Sequence, residues 1–394
     1  MAVPPEPQAP AAKGGLSLIP ALGVTTVISY GALYYAFAVL APRMTEDFGW
    51  APEWTYGGFA VGLLAGGAVA PLTGRLIDRF GARLVMSAGS ALAALALWTL
   101  TQAHGPVGYF SAMILLEIVS TMVFYDAAFA ALTQARGASA RRAISQLTLI
   151  GGFASTVFWP LTTALLARYD WRAIYQFYAL AQLLICLPLH AFAVPGRLGR
   201  SLAPAKPKQA EGVAETDGYL AGDMRRRAFL LLALAFSLQG FVVSALSVHM
   251  LSLLQGLGLT AAVAVAIGAM VGPSQVAGRL CEMLFGASLQ PVTTAWVSAL
   301  LMPVGLALLL IGGMTATLAG LFAIAYGVSM GLSSIVRGTV PLQLFGPVGY
   351  GAMLGKLSAP GLAVKAAAPL AFAVLIERGG PFPGTLLLVV LAAG

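Results

Sequence analysis

Apolar positions gather into twelve stretches, at 16–41, 54–73, 84–103, 107–133, 143–167, 173–194, 228–254, 261–285, 292–312, 315–336, 348–376 and a stub from 383. Most reach the roughly 20 residues that a helix needs to cross bilayer hydrocarbon. A helix also satisfies its own backbone hydrogen bonds where no water can. The pattern predicts an all-α, membrane-spanning chain. The loops between stretches are short, and their bases fall on alternate loops. One set carries Arg75, Arg79 and Arg83, then Arg136, Arg141 and Arg142, then Arg197, Arg200, Lys206, Lys208 and Arg225 to Arg227. The other carries Arg43, Arg168, Arg172 and Arg378. Bases mark the cytoplasmic side, so both termini are expected there, in a multi-pass protein of the cell (inner) membrane.

Composition sharpens this picture. The 394 residues are 59% hydrophobic and 9% charged, too little polar surface to coat a soluble globule. The net charge of +8 reports topology and no nucleic-acid partner, since the bases follow the loop alternation. Cys186 and Cys281 lie far apart inside apolar segments, and His104, His190 and His249 fall in separate segments. No disulfide, metal site or cofactor is expected from such spacing. Residues 1–15 lack the apolar core and cleavage site of a secretory signal and read as a disordered cytoplasmic tail.

Residues 195–227, rich in Pro, Gly, Lys and Glu, read as a flexible cytoplasmic linker between six-helix bundles at 16–194 and 228–394. The halves resemble each other at an offset of about 200 residues. Gly74-Arg75-Leu76-Ile77-Asp78 recurs as Gly278-Arg279-Leu280-Cys281-Glu282, Phe80-Gly81-Ala82 as Phe285-Gly286-Ala287, and Arg136-Gly137 as Arg337-Gly338. Three such pairs in order point to duplication, and paired six-helix halves are a transporter architecture. Only ten apolar residues follow the turn from Pro381 to Gly384, so the twelfth helix is expected to be short or truncated.

After the second stretch comes Gly74-Arg75-Leu76-Ile77-Asp78-Arg79-Phe80-Gly81-Ala82-Arg83. This resembles the loop signature of the major facilitator superfamily, between helices two and three. The glycines suit a tight turn, and Asp78 and the arginines can bond neighbouring helix ends. The resemblance implies that this loop latches the two halves, with an arginine meeting an acid at the cytoplasmic end of helix four. Asp126 matches that acid, so Gly74, Arg75, Asp78, Arg79, Gly81, Arg83 and Asp126, with Glu282 and Arg337 from the second half, form an expected gating latch. Asp47-Phe48-Gly49-Trp50 and Asp170-Trp171-Arg172 resemble the monocarboxylate and oxalate/formate porter branch. The acidic-glycine signature of that branch is missing around Tyr30. Small residues every four positions, Gly58 to Gly74 in helix two and Gly351 to Ala367 in helix eleven, permit close packing or a sliding contact. Pro360 and Pro369 are expected to bend helix eleven.

Ionisable groups at membrane depth are costly, so each is a site hypothesis. Glu117, central in helix four, is a candidate to carry a coupling proton or a neutral structural carboxyl. Asp126, nine residues on, is expected on the opposite side of the helix. Lys356 and Lys365 are likewise opposed on helix eleven. The segment around Lys356 resembles the part of the oxalate/formate porters that carries a substrate-binding lysine, whereas Lys365 lies nearer midplane and could pair with Glu117. Arg279 has two readings, a carboxylate clamp as in the resembled porters or a second copy of the latch with Glu282. His249 is a core imidazole or a proton relay. Tyr30 and Tyr34 share a face and line a cavity or merely pack. Gln239, Tyr326, Gln146 and Tyr125 are weaker candidates for the same cavity.

These features predict a secondary active transporter, acting as a monomer, that moves a small monocarboxylate-like anion by alternating access. A proton or counter-substrate would drive it. An exporter of amphipathic or toxic compounds is the alternative on the same fold. Gly327-Val328-Ser329-Met330-Gly331 matches a nucleophile elbow in pattern, yet lies in a predicted helix rather than a strand-turn-helix, so no enzyme is expected.

Overall fold

A computed structural model describes residues 17–196, 219–286, 289–311 and 315–394, and no strand occurs among the described residues. Ten helical runs among them are long and apolar enough to cross a membrane. The run Pro106–Leu166 spans 61 residues, long enough to cross twice, and turns back at Gly137–Ala140. The elements are α1 (Leu18–Phe48), α2 (Pro52–Phe80), α3 (Ala82–Thr101), α4 (Pro106–Ser120 with Tyr125–Arg136), α5 (Arg141–Gly151 with Ala154–Leu166) and α6 (Trp171–Ala193). They continue as α7 (Gly222–Gly256), α8 (Ala261–Phe285), α9 (Pro291–Leu308), α10 (Ala316–Phe345), α11 (Tyr350–Gly379) and α12 (Pro381–Ala393). At 13 residues, α12 is short: about 20 Å at 1.5 Å per residue, against roughly 30 Å of hydrocarbon. The expected tail 1–15 lies outside the described residues, as does most of the expected linker. The linker's last residues are helical, because α7 begins at Gly222 rather than at residue 228.

Local chemistry sets the ends of these helices. Proline occupies the first turn of α2, α4, α9 and α12, where its missing N–H leaves no bond unmade. Asp170 caps α6 by accepting from Ala173 N at 2.7 Å, and Thr315 caps α10. Gly49, at φ 65°, closes α1. The latch sequence is helical almost throughout, against the expectation of a loop. Gly74 is buried inside α2, and only Gly81, at φ 87°, makes the turn into α3.

Several helices are interrupted, and in α4 side chains compete with the backbone at the break. Ser120 Oγ and Thr121 Oγ1 donate to the carbonyls of Glu117 and Ile118, at 2.7 Å each, and α4 breaks over the next residues. In α1 the turn over Gly31–Tyr35 widens to π-type. Gly31 faces the Phe158 ring so closely that no Cβ would fit.

One end of the first half is tied by the two branch-like motifs. Arg172 pairs with Asp47, donates to the carbonyls of Thr101 and Ala103 at 3.2 Å each, and lies 4.3 Å from the Trp171 ring centroid. Trp171 Nε1 also donates to Asp47, at 3.2 Å. These motifs therefore join helix ends within one half. Arg172→Ala is expected to cost about 1–2 kcal/mol, mostly from the two carbonyl bonds, because the ion pair is partly exposed and screened. A lowered melting temperature with unchanged ligand affinity in the surviving protein checks this.

Apolar packing forms one core within 32–179 and another within 242–388. A third crosses between these groups at the latch end, where Ile77, Phe129, Ile144 and Leu147 pack with Leu342, Tyr350 and Leu354.

Candidate functional site

The latch end is closed by glycine contacts and carboxylates. A Cβ on Gly74 would collide with the Gly351 carbonyl of α11, and one on Gly355 with the Ala70 carbonyl of α2. Their absence lets the two backbones touch. Beyond this ridge Asp78 accepts from Gly351 N at 3.0 Å and from Ala352 N at 2.7 Å, the unpaired donors at the start of α11. Glu282, at the corresponding place on α8, meets Arg141 at the start of α5 at 3.5 Å. Arg141 also donates to the carbonyls of Gly286, at 2.9 Å, and Leu289. The repeated motif thus makes two crossings between the halves, each from an acid to the start of a helix. Arg75, Arg79 and Arg83 are exposed, and Arg79 lies over the Phe80 ring.

Asp126 is not at the latch end. Gln134 occupies the place on α4 expected for the acid, accepting from Ala82 N and donating to Ile77 O, both at 2.9 Å. Asp126 lies eight residues nearer the middle, about 12 Å along the helix. Its carboxylate meets Arg337 of α10 at 3.5 Å and bonds Ser358 of α11. Arg337 donates to Ser358 at 2.8 Å. The side chains of Arg337 and Asp126 keep 30% and 26% exposure, so space remains beside them. Asp126 thus faces α10 and α11, whereas Glu117 packs on α2.

Arg279 lies closer to the boundary. It is 6% exposed, its Nε donates to Ser334 Oγ at 3.1 Å, and its Nη1 has no partner among the described residues. The guanidinium reaches from α8 to Gly152 of α5, where any Cβ would overlap Nη1. It does not pair with Glu282, which Arg141 holds. Tyr125 reaches Gly151 beside it and stacks on Phe129. Tyr30 stacks on Phe124 at 4.0 Å and lies 4.9 Å from Tyr125. Tyr34 is 36% exposed, edge-on to Tyr35 at 5.3 Å. Gln146 is half-buried on α5.

The two lysines part company. Lys356 is exposed and makes no ion pair among the described residues. Lys365 is half-buried, its alkyl chain against Gly240 of α7, and it makes no pair with Glu117. Glu117 is 2% exposed and packs on Gly62 and Gly66 of α2. One of its oxygens lies 3.4 Å from Ser120 Oγ and the other has no partner among the described residues. His249 Nε2 bonds the Pro369 carbonyl at 2.9 Å. Since Pro369 has no N–H for the Lys365 carbonyl, Ser244 Oγ supplies that bond at 2.8 Å. His249 and Ser244 thus brace the proline turn of α11. Gln239 bonds Ser333, and Tyr326 is buried against Phe322.

Gly152, Ser334, Ser358 and Gln134 escaped the sequence reading. The adjacent pair Gly151-Gly152 within an apolar stretch was a legible signal for close approach, but the serines carried none. A cleft of about 400 Å³, lined by Arg43, Glu46, Asp47, Leu166, Tyr169, Asp170 and Trp171, lies at the opposite end from the latch and contains none of the residues expected to bind substrate.

A family described as Major Facilitator Superfamily matches residues 22–392. Among solved structures, the human organic anion transporter MFSD10 (TETRAN) is 15% identical, with a TM-score of 0.71 over 95% of this chain and 96% of that one. The proton:xylose symporter XylE bound to 6-bromo-6-deoxy-D-glucose is 12% identical, with a TM-score of 0.72 over 95% and 94%. FucP, in the outward conformation, is 13% identical, with a TM-score of 0.70 over 95% and 96%. No curated protein matches the chain.

Proposed function

The chain belongs to the major facilitator superfamily, and from that premise we propose that it moves a small monocarboxylate-like anion by alternating access, coupled to protons. Membership makes it a multi-pass secondary transporter and not an enzyme. The substrates named for its structural neighbours range from organic anions to xylose, so the likeness of fold does not choose among them. The choice rests on the site.

Arg279 carries the reading. A guanidinium this buried costs several kcal/mol when unpaired, and its Nη1 has no partner among the described residues. A carboxylate on that face would accept the free N–H groups and offset the cost. Arg337 and Lys365 add two further bases, and Asp126 removes one charge from the set. An anion is therefore the ligand that this boundary favours. The exposed Lys356 fits that role less well than the half-buried Lys365. The closed end, with Asp78 and Glu282 on helix starts, is the cytoplasmic gate in this reading, and the halves at 16–194 and 228–394 rock about the site. The protein would act as a monomer in the cell (inner) membrane, with both termini cytoplasmic.

Uptake by purified protein in proteoliposomes tests the proposal, using labelled formate, acetate, lactate and oxalate under an imposed pH gradient. Accumulation of at least one that collapses when the gradient is dissipated is the expected result. Uptake of amphipathic cations or neutral solutes that no carboxylate inhibits would favour the export reading and overturn this one.

A further inference from the structure

We infer that the carboxylate taken by Arg279 is carried on an aromatic ring, and that Tyr30, Tyr34 and Tyr35 of α1 form the surface that receives this ring. The inference deepens the anion reading and rests on it for the carboxylate. The two walls that meet at the boundary differ in chemistry. The second half brings the bases Arg279, Arg337 and Lys365. The first half brings rings. Tyr30 stacks on Phe124 at 4.0 Å and lies 4.9 Å from Tyr125 and 6.4 Å from Tyr35. Tyr35 is edge-on to Tyr34 at 5.3 Å, and Tyr34 lies 5.7 Å from Phe59. These rings touch in sequence and make one continuous surface. Among the described residues, the aromatic pairs of the second half are His249 with Phe372 and Phe322 with Tyr326, and the three last-named rings are buried in the core of that half.

The ring surface faces the second half rather than lipid. Tyr35 and Tyr125 lie within electrostatic reach of Arg279, and Tyr30 within that of Arg337. Tyr34 is likewise near Tyr326 of α10. These rings are also not closed off. Tyr34 is 36% exposed, and Tyr30, Tyr35, Phe59, Phe124 and Tyr125 are half-buried. Rings that only fill the core of this half look different: Tyr109 and Tyr175 are 0% and 1% exposed.

The backbone of α1 is what joins Tyr35 to Tyr30. Residues five apart in an α-helix stand about 140° apart around its axis, which would send these two rings to different sides. Over Gly31–Tyr35 the turn is of π type, with Ala36 N bonding the Gly31 carbonyl five residues back. Residues at that spacing then lie nearly one above the other. Gly31 permits the turn to sit against Phe158, where no Cβ would fit.

Such a surface selects among carboxylates. Formate and oxalate offer it no apolar area, so they would leave the rings wet. A ligand with a ring removes apolar area from water on both surfaces. Flatness adds a second gain, since the edge of one aromatic ring meets the face of another favourably, and a saturated ring of similar size lacks that charge pattern. Tyrosines held against one another also have little side-chain freedom left to lose on binding.

Isothermal titration of the purified full chain at pH 7 with benzoate, cyclohexanecarboxylate, acetate and benzamide separates ring, flatness and charge. Benzoate should bind about 30-fold or more tighter than acetate. It should also bind about 2-fold to 10-fold tighter than cyclohexanecarboxylate, although the saturated ring has the larger apolar surface. Tyr35→Leu should abolish the second preference and Tyr35→Phe should keep it. Tyr34→Leu and Tyr34→Phe repeat the comparison at the more exposed position, where a leucine disturbs packing least. Each readout is a ratio of affinities, which a misfolded fraction does not move. Loss of the preference in either leucine variant, with its phenylalanine counterpart unaffected, supports the inference. Acetate or cyclohexanecarboxylate binding as tightly as benzoate, or a preference kept in both leucine variants, would overturn it and leave the anion reading standing. Benzamide, uncharged and of the same shape, binding as tightly as benzoate would sink the anion reading and leave the ring surface standing. Binding of none of the four would overturn both.

Discussion

Arg279→Ala is expected to weaken carboxylate binding by about 100-fold or more while leaving the melting temperature of the ligand-free protein unchanged or raised. Truncating one partner of a buried, hydrogen-bonded charge pair costs about 2–5 kcal/mol, and every 1.4 kcal/mol is tenfold in affinity. The ligand-free state behaves oppositely. There the guanidinium is buried with one nitrogen unpartnered, and its removal relieves a desolvation penalty at the cost of the single bond to Ser334. The sign of the stability change separates this role from a latch role. A second-half copy of the latch would lose an ion pair on truncation and melt earlier. Arg279→Lys should recover little, because an ammonium cannot match a carboxylate in bidentate fashion. Unchanged uptake in Arg279→Ala, or a fall of several degrees in its melting temperature without ligand, would remove Arg279 from the binding site.

Gly74→Val should hold the latch end open. The added carbons meet the backbone carbonyl of Gly351, which cannot swing aside as a flexible side chain would. Overpacking costs about 1–3 kcal/mol, and here the cost falls only on the closed state, because α2 and α11 belong to different halves. A penalty of that size shifts the balance between states by about 5-fold to 150-fold. Chloroacetamide-type labelling of cysteines placed along the inner face of α11 reads that shift, together with a fall in transport rate. Gly57→Ala is the control on the same helix, since nothing lies within 4 Å of a Cβ there. Equal accessibility in Gly74→Val and wild type would show that the ridge packs without gating.

Much of this arrangement was legible in one dimension. Span lengths, alternating bases and the repeat anticipated the helices, and the repeated acids Asp78 and Glu282 do perform matching tasks at helix starts. The family resemblance sets Asp126 at the latch, whereas Gln134 holds that place and Asp126 meets Arg337 and Ser358 instead. Gly74 has two sequence readings, a turn glycine of the latch and the end of the small-residue ridge of helix two, and the contact that decides for the ridge comes from a residue 277 positions later, Gly351. Lys356 and Lys365 are expected on opposite faces of helix eleven, but which face meets lipid depends on the neighbours of α11.

The sequence by itself determined the solvent, the helices, their number within one short element, and the scarce charges that any mechanism must use. These follow from local free energies: the cost of unpaired backbone and of ions in hydrocarbon attaches to each residue wherever it goes. Only the tertiary structure decided that Arg279 enters a notch made by Gly152, that Asp126 crosses to Arg337, and that Glu117 stays within its own half. Such pairings depend on helix phase and on which helices face each other, and both are settled by packing between segments far apart in the chain.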